Sequence, residues 1–120
     1  MSKILSRDEI LKAQDIKTEE VQVPEWGGSI LVRGLTGIER DRFEESILQG
    51  HGKNRTVTLD NIRAKLIARS VVDEQGNRIF SDADIEGLGK KSGATLSRVF
   101  EVCQRLSGLN EGALEELTKN

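Results

Sequence analysis

Between Pro24 and Glu45 the chain reads PEWGGSILVRGLTGIERDRFEE, and within that stretch the spacing of apolar residues changes from strand-like to helical. Up to Arg33 the apolar positions alternate. The Gly27–Gly28 pair predicts a two-residue turn that folds Val21–Trp26 back on Ser29–Arg33, with Val23 opposite Val32 and Glu25 opposite Ile30. Val21, Val23, Ile30 and Val32 then share one face, and an apolar sheet face has to be covered by another element. Thr36 followed three residues later by Glu39 has the spacing of a capping box, so a helix is predicted from Gly37 to about Leu48. A hairpin feeding directly into a helix, with no catalytic group at the junction, describes a small binding or scaffolding domain.

The other elements follow from the same signals. Ser6 and Glu9 form a second capping box, which predicts a short helix over Arg7–Gln14 and then a polar link. Gly50 to Asn54 reads as a loop. Ile62, Leu66, Ile67 and Val71 make an apolar stripe on a helix expected over Asp60–Val72. Ile79 and Phe80 anchor a short extended piece, and Ser81 with Asp84 starts a brief helix. The longest helix is predicted over Ala94–Leu106, where Leu96, Val99, Phe100, Cys103 and Leu106 recur at helical spacing before Ser107–Gly108. Asn110 is positioned to cap a last helix over Glu111–Leu117. The fold class is therefore α+β: a mainly α-helical single domain with a small N-terminal β-hairpin. Residues 1–20 form a short helix and link, and residues 21–120 the hairpin and helical domain.

Composition narrows the function. A chain of 120 residues suits one domain with one core. Aromatic residues are only Trp26, Phe43, Phe80 and Phe100, too few for a stacking platform for single-stranded nucleic acid, and the net charge of −2 argues against a general polyanion binder. Cys103 is the single cysteine, which excludes an intramolecular disulfide and fits a reducing compartment. No apolar run approaches the roughly 20 residues of a membrane span, and MSKILSRDEI has no signal-peptide hydrophobic region. A soluble, cytosolic protein is expected.

No catalytic, cofactor or metal constellation emerges. His51 lies between two glycines with no Cys or His at ligand spacing, which describes a solvated loop residue. Cys103 sits on an apolar helix stripe, where a free thiol acts as a small hydrophobe, and the sole histidine is remote from it in sequence. The carboxylates fall opposite cations on helix faces, as Arg40 and Glu44 do. The glycines form neither GxGxxG nor a P-loop. Trp26, beside the hairpin turn, either caps the hairpin or offers a partner contact.

Two features bear on nucleic acid. His51, Lys53, Arg55, Arg63, Lys65 and Arg69 form a local basic run, which describes a solvated helix face more often than a phosphate track. DIEGLGKKSGATLSRVF, residues 84–100, resembles the helix-turn-helix of LacI-type repressors, above all in Ser92 and Thr95–Val99. Glu86, Lys90 and Lys91 depart from that motif where its two helices pack, and burying those charges costs several kcal/mol. A helix-turn-helix DNA-binding regulator is thus the alternative reading.

A second resemblance spans nearly the whole chain. SRDEILKAQD, VPEWGGSILVRGLTGIERDRFE, IRAKLIARSVVDEQGNRIFSDADIEGLGKKS and SRVFEVCQRLSGL together resemble the tail assembly chaperones of long-tailed, siphovirus-type bacteriophages and prophages. The resemblance implies a non-enzymatic protein without cofactors that acts in the host cytoplasm and is absent from the mature virion. Its partners would be the tape-measure protein, which it coats and keeps soluble, and the tail-tube protein, with self-association along the rod. Many members of the family are also made in a longer form by ribosomal frameshifting, and Lys119–Asn120 is compatible with a slippery AAA AAC. An amphipathic partner needs an apolar groove on a charged body. Phe43, Ile47, Val99 and Phe100, with Trp26, are the candidate partner-binding residues, and placement in the protein's own core is the competing expectation for the first four.

Overall fold

A computed structural model describes residues 2–50, 53 and 56–109. Helix α1 (Arg7–Lys12) opens on the Ser6–Glu9 capping box and buries none of its residues. Strands β1 (Thr18–Val23) and β2 (Gly28–Arg33) form the hairpin, and helix α2 (Gly37–Ile47) follows from the Thr36–Glu39 capping box. Two short strands, β3 (Leu48–Gln49) and β4 (Thr56–Val57), pair antiparallel in a region expected to be helix end and loop. Helix α3 (Ile62–Ser70) runs into strand β5 (Val71–Val72), and a 3-10 turn over Asp82–Asp84 leads to α4 (Ile85–Leu88) and α5 (Gly93–Ser107). The architecture is α+β, with one three-stranded antiparallel sheet in the order β1-β2-β5. His51, part of the 50–54 loop, the helix expected over Glu111–Leu117 and its cap Asn110 lie outside the described residues.

The hairpin turn sits earlier than its glycines suggest. Pro24–Trp26 form a 3-10 turn that Gly27 closes at φ 86°, its amide donating to the Pro24 carbonyl at 3.0 Å. Proline pre-sets the first turn residue and glycine accepts the left-handed one, so the connection is Pro24–Gly27 and not Gly27–Gly28. Val23 consequently faces Gly28 instead of Val32, a slip of four residues, and Val21 faces Ile30. Glu25 leaves the ladder altogether. An even slip preserves the pleat, so Val21, Val23, Ile30 and Val32 still share one face.

The second correction concerns the end of α3. The helix stops at Ser70, and Val71 and Val72 pair with Val32 and Leu31 as the third strand. Two successive β-branched residues suit a pleated ladder better than a helix turn, and β2 offered an unpaired edge. α5 covers the apolar face of the sheet and packs on α3. Phe43 and Ile47 from α2, Leu66 and Ile67 from α3, and Leu96, Val99 and Cys103 from α5 join Val23 and Val32 in one buried core. Burial pushes the Cys103 thiol up to about 12, so it stays neutral and contributes packing, not nucleophilicity.

Candidate functional site

The long helix α5 packs on α3 and on the hairpin, and ion pairs fix its position on the hairpin. Ser92 caps it by accepting the Thr95 amide, and Gly108 ends it at φ 70°. From its exposed side the Arg98 guanidinium makes a fork to both oxygens of Glu25, at 2.7 and 2.9 Å, while the Thr95 hydroxyl donates to the same carboxylate at 3.2 Å. Two turns on, Arg105 holds Glu19 of β1 at 2.7 and 2.9 Å. At the exit of β2, Arg33 forks onto Glu39 of α2 at 2.7 and 2.9 Å, and the Leu35 amide donates to the Ser107 hydroxyl at 3.0 Å. The hairpin, α2 and α5 are thereby tied at both ends of α5. Bidentate arginine–carboxylate geometry supplies direction as well as energy.

The hydrogen bonds from Arg98, foremost, hold the Glu25 carboxyl down to about 2. Its folded value lies below its unfolded one near 4.5. The clamp's stabilisation is therefore fully present above pH about 4.5 and is lost as pH falls towards about 2. A carboxyl-carbon NMR titration should find the Glu25 midpoint close to 2. Arg98→Gln should return it to the ordinary carboxylate range, and an unchanged midpoint would refute the clamp.

Beside this frame, α3 and α5 leave a groove. Leu59, just ahead of α3, is 67% exposed, and with Ile62 and half-buried Phe100 it forms an apolar floor. Arg63 and Glu101 stand on the rim, with the Arg63 guanidinium 5.9 Å from the centre of the Phe100 ring. The N-terminal arm is a further apolar surface: Ile4, Leu5, Ile10 and Leu11 are all more than half exposed, and nothing in α1 is buried. Lys3 and Glu9 pair along the arm, keeping its polar side charged.

The structure separates the residues singled out from sequence. Phe43, Ile47 and Val99 are at most 1% exposed, and their side chains face the core. Phe100 and Trp26 pack against that core and keep part of their surface. Of the five, only Phe100 lies in the α3–α5 groove, and Trp26 belongs to the hairpin turn. Leu59 and Ile62 were not singled out as partner residues, because periodicity shows that a helix has an apolar stripe but not how much of it neighbours cover. Among the described residues no group of three or more His, Cys, Asp or Glu could hold a metal ion. No helix among them is long and apolar enough to cross a membrane.

Nothing in this arrangement favours DNA binding. α4 has only four residues, Thr95 is 2% exposed, and Arg98 is spent on Glu25, so the face that would enter a groove is turned onto the hairpin. Among the basic residues, Arg63 lies over Phe100, Lys65 reaches the Ser46 carbonyl at 3.4 Å, and Arg69 stands 4.0 Å from Asp82.

The solved structure of the bacteriophage HK97 tail assembly chaperone is similar in fold, with a TM-score of 0.54 and 21% identity over 94% of this chain and 93% of that one. No curated protein matches the sequence. The family model described as phage tail assembly chaperone matches residues 7–119. With all but the first six residues and the last included, the chain belongs to the phage tail assembly chaperone family.

Proposed function

We propose that this chain is a non-enzymatic chaperone of phage or prophage tail morphogenesis that binds and solubilises the tape-measure protein in the host cytoplasm and is left out of the mature virion. The observation that carries the reading is the α3–α5 groove, where Leu59, Ile62 and Phe100 make an apolar floor beside Arg63 and Glu101. An amphipathic helix inserts its apolar residues into such a strip and leaves its charged side in water. Rim groups Arg63 and Glu101 supply one charge of each sign for register. The exposed arm around Ile4, Ile10 and Leu11 supports self-association along a rod-like partner, with tail-tube subunits joining the same assembly.

The test is co-expression of the chain with the tape-measure protein from the same genome. The double substitution Leu59→Asp/Phe100→Asp should lower the soluble tape-measure fraction about tenfold or more while the chaperone keeps its melting temperature within a few degrees. A folded double variant that still keeps the tape measure in solution would remove the groove from the function.

A further inference from the structure

The sheet has a second face. Across it Glu20, Leu31 and Val72 stand directly opposite one another on β1, β2 and β5, so one row runs from a carboxylate to two aliphatic side chains. Arg78 stands opposite Val72 at the end of that row, its guanidinium turned to the Ala68 carbonyl and to Asp82. Beside it Ile79, whose amide donates to the Val71 carbonyl at 3.4 Å, is 51% exposed. With Glu74 these residues border an open cleft of about 700 Å³, and no helix contributes to its lining. An antiparallel sheet with one wet face normally carries polar residues there. Half-buried Leu31 in the sheet and exposed Ile79 beside it break that rule, while Val72 is itself only 4% exposed.

The charge of the cleft is one-sided. Its ionisable residues are Glu20, Asp73 and Glu74, and among the described residues none of the three has a cation at ion-pair distance. Elsewhere Glu19, Glu25, Glu39 and Glu44 are each matched to an arginine. Neutral donors orient two of the cleft carboxylates. Gln22 and Ser29 donate to one oxygen of Glu20 at 3.2 and 3.0 Å, and the Gln75 and Asn77 amides donate to one oxygen of Asp73 at 2.9 and 3.0 Å. Among the described residues the other oxygen of each takes no hydrogen bond, and no cation offsets the charge at ion-pair distance.

We infer that this cleft docks a cationic, amphipathic segment of a protein partner, with apolar side chains against Leu31 and Ile79 and Lys or Arg reaching Glu20 and Glu74. The site is separate from the α3–α5 groove, so it stands or falls independently of tape-measure binding there. It gives the domain two surfaces of different charge character, one neutral at the rim and one acidic.

The experiment is an NMR titration of the ¹⁵N-labelled full chain with two probes, acetyl-KLAKKLAKKLAK-amide and its acidic counterpart acetyl-ELAEELAEELAE-amide. The basic peptide should bind saturably, shift the amides of Leu31, Val72 and Ile79, and weaken as salt rises. The acidic peptide should give no saturable shift. Glu74→Lys should weaken the basic peptide about fivefold, and Ile79→Asp should abolish its binding while amide dispersion is retained. Leu11→Asp in the arm should leave the affinity unchanged. Equal binding of both peptides, shifts confined to the α3–α5 groove, or tightening by Leu11→Asp, which would make the arm the natural occupant, would each overturn the proposal.

Discussion

Phe43→Ala is expected to cost about 3–5 kcal/mol of folding stability, the largest effect of any single truncation proposed here. The ring is 1% exposed and lies among Ile47, Leu66, Ile67 and Val99 in the shared core, so removing it deletes transfer free energy and leaves a cavity between α2 and its neighbours. Against a total of about 5–15 kcal/mol for a domain of this size, that loss lowers the melting temperature by about 10–25 °C. Thermal unfolding followed by circular dichroism measures it directly. A drop below about 1 kcal/mol would mean that the ring is not enclosed, and would return Phe43 to the partner-facing residues.

Gly34→Ala is expected to destabilise by about 1–3 kcal/mol or more, for a different reason. A Cβ at Gly34 would stand 2.4 Å from the Leu106 carbonyl oxygen and 3.1 Å from its carbon. Both are backbone atoms in the last turn of α5, and a helix cannot swing aside as a side-chain tip can. The chain must therefore open the β2–α5 contact, and with it the bond from the Leu35 amide to Ser107. Gly28→Ala is the control, because a Cβ there meets nothing within 4 Å; it should stay within about 0.5 kcal/mol. If the two alanines unfold at the same denaturant concentration, the Leu106 backbone does not lie against Gly34.

The capping signals in the sequence held where they fall on described residues. The capping boxes at Ser6–Glu9, Thr36–Glu39 and Ser81–Asp84 form as the spacing implies, because each joins a side chain to a backbone amide three residues away. The reach of α5 was legible from its stripe and from Gly108, and the shared face of Val21, Val23, Ile30 and Val32 survived a wrong register. The register itself was misread because Gly27–Gly28 is a strong turn signal in isolation, while Pro24 starts the turn earlier. β5 was missed because Val71 continues the α3 stripe, and only the vacant edge of β2 gives Val71 and Val72 a ladder to join.

The exposure of the apolar candidates was least legible. Phe43, Ile47, Val99 and Phe100 are equivalent to a periodicity argument, yet the first three are enclosed and Phe100 opens onto a groove with Leu59. The sequence by itself determined the capping boxes that open α1 and α2, the reach of α5, the presence of the hairpin and its apolar face, since these depend on residues close together in the chain. Only the tertiary structure decided that Glu25 would clamp Arg98, that Gly34 would lie beneath Leu106, and that one sheet face would be covered by α5 while the other stayed open and acidic. The first two of these join residues more than 70 positions apart, and the chain reveals such contacts only when several elements pack at once.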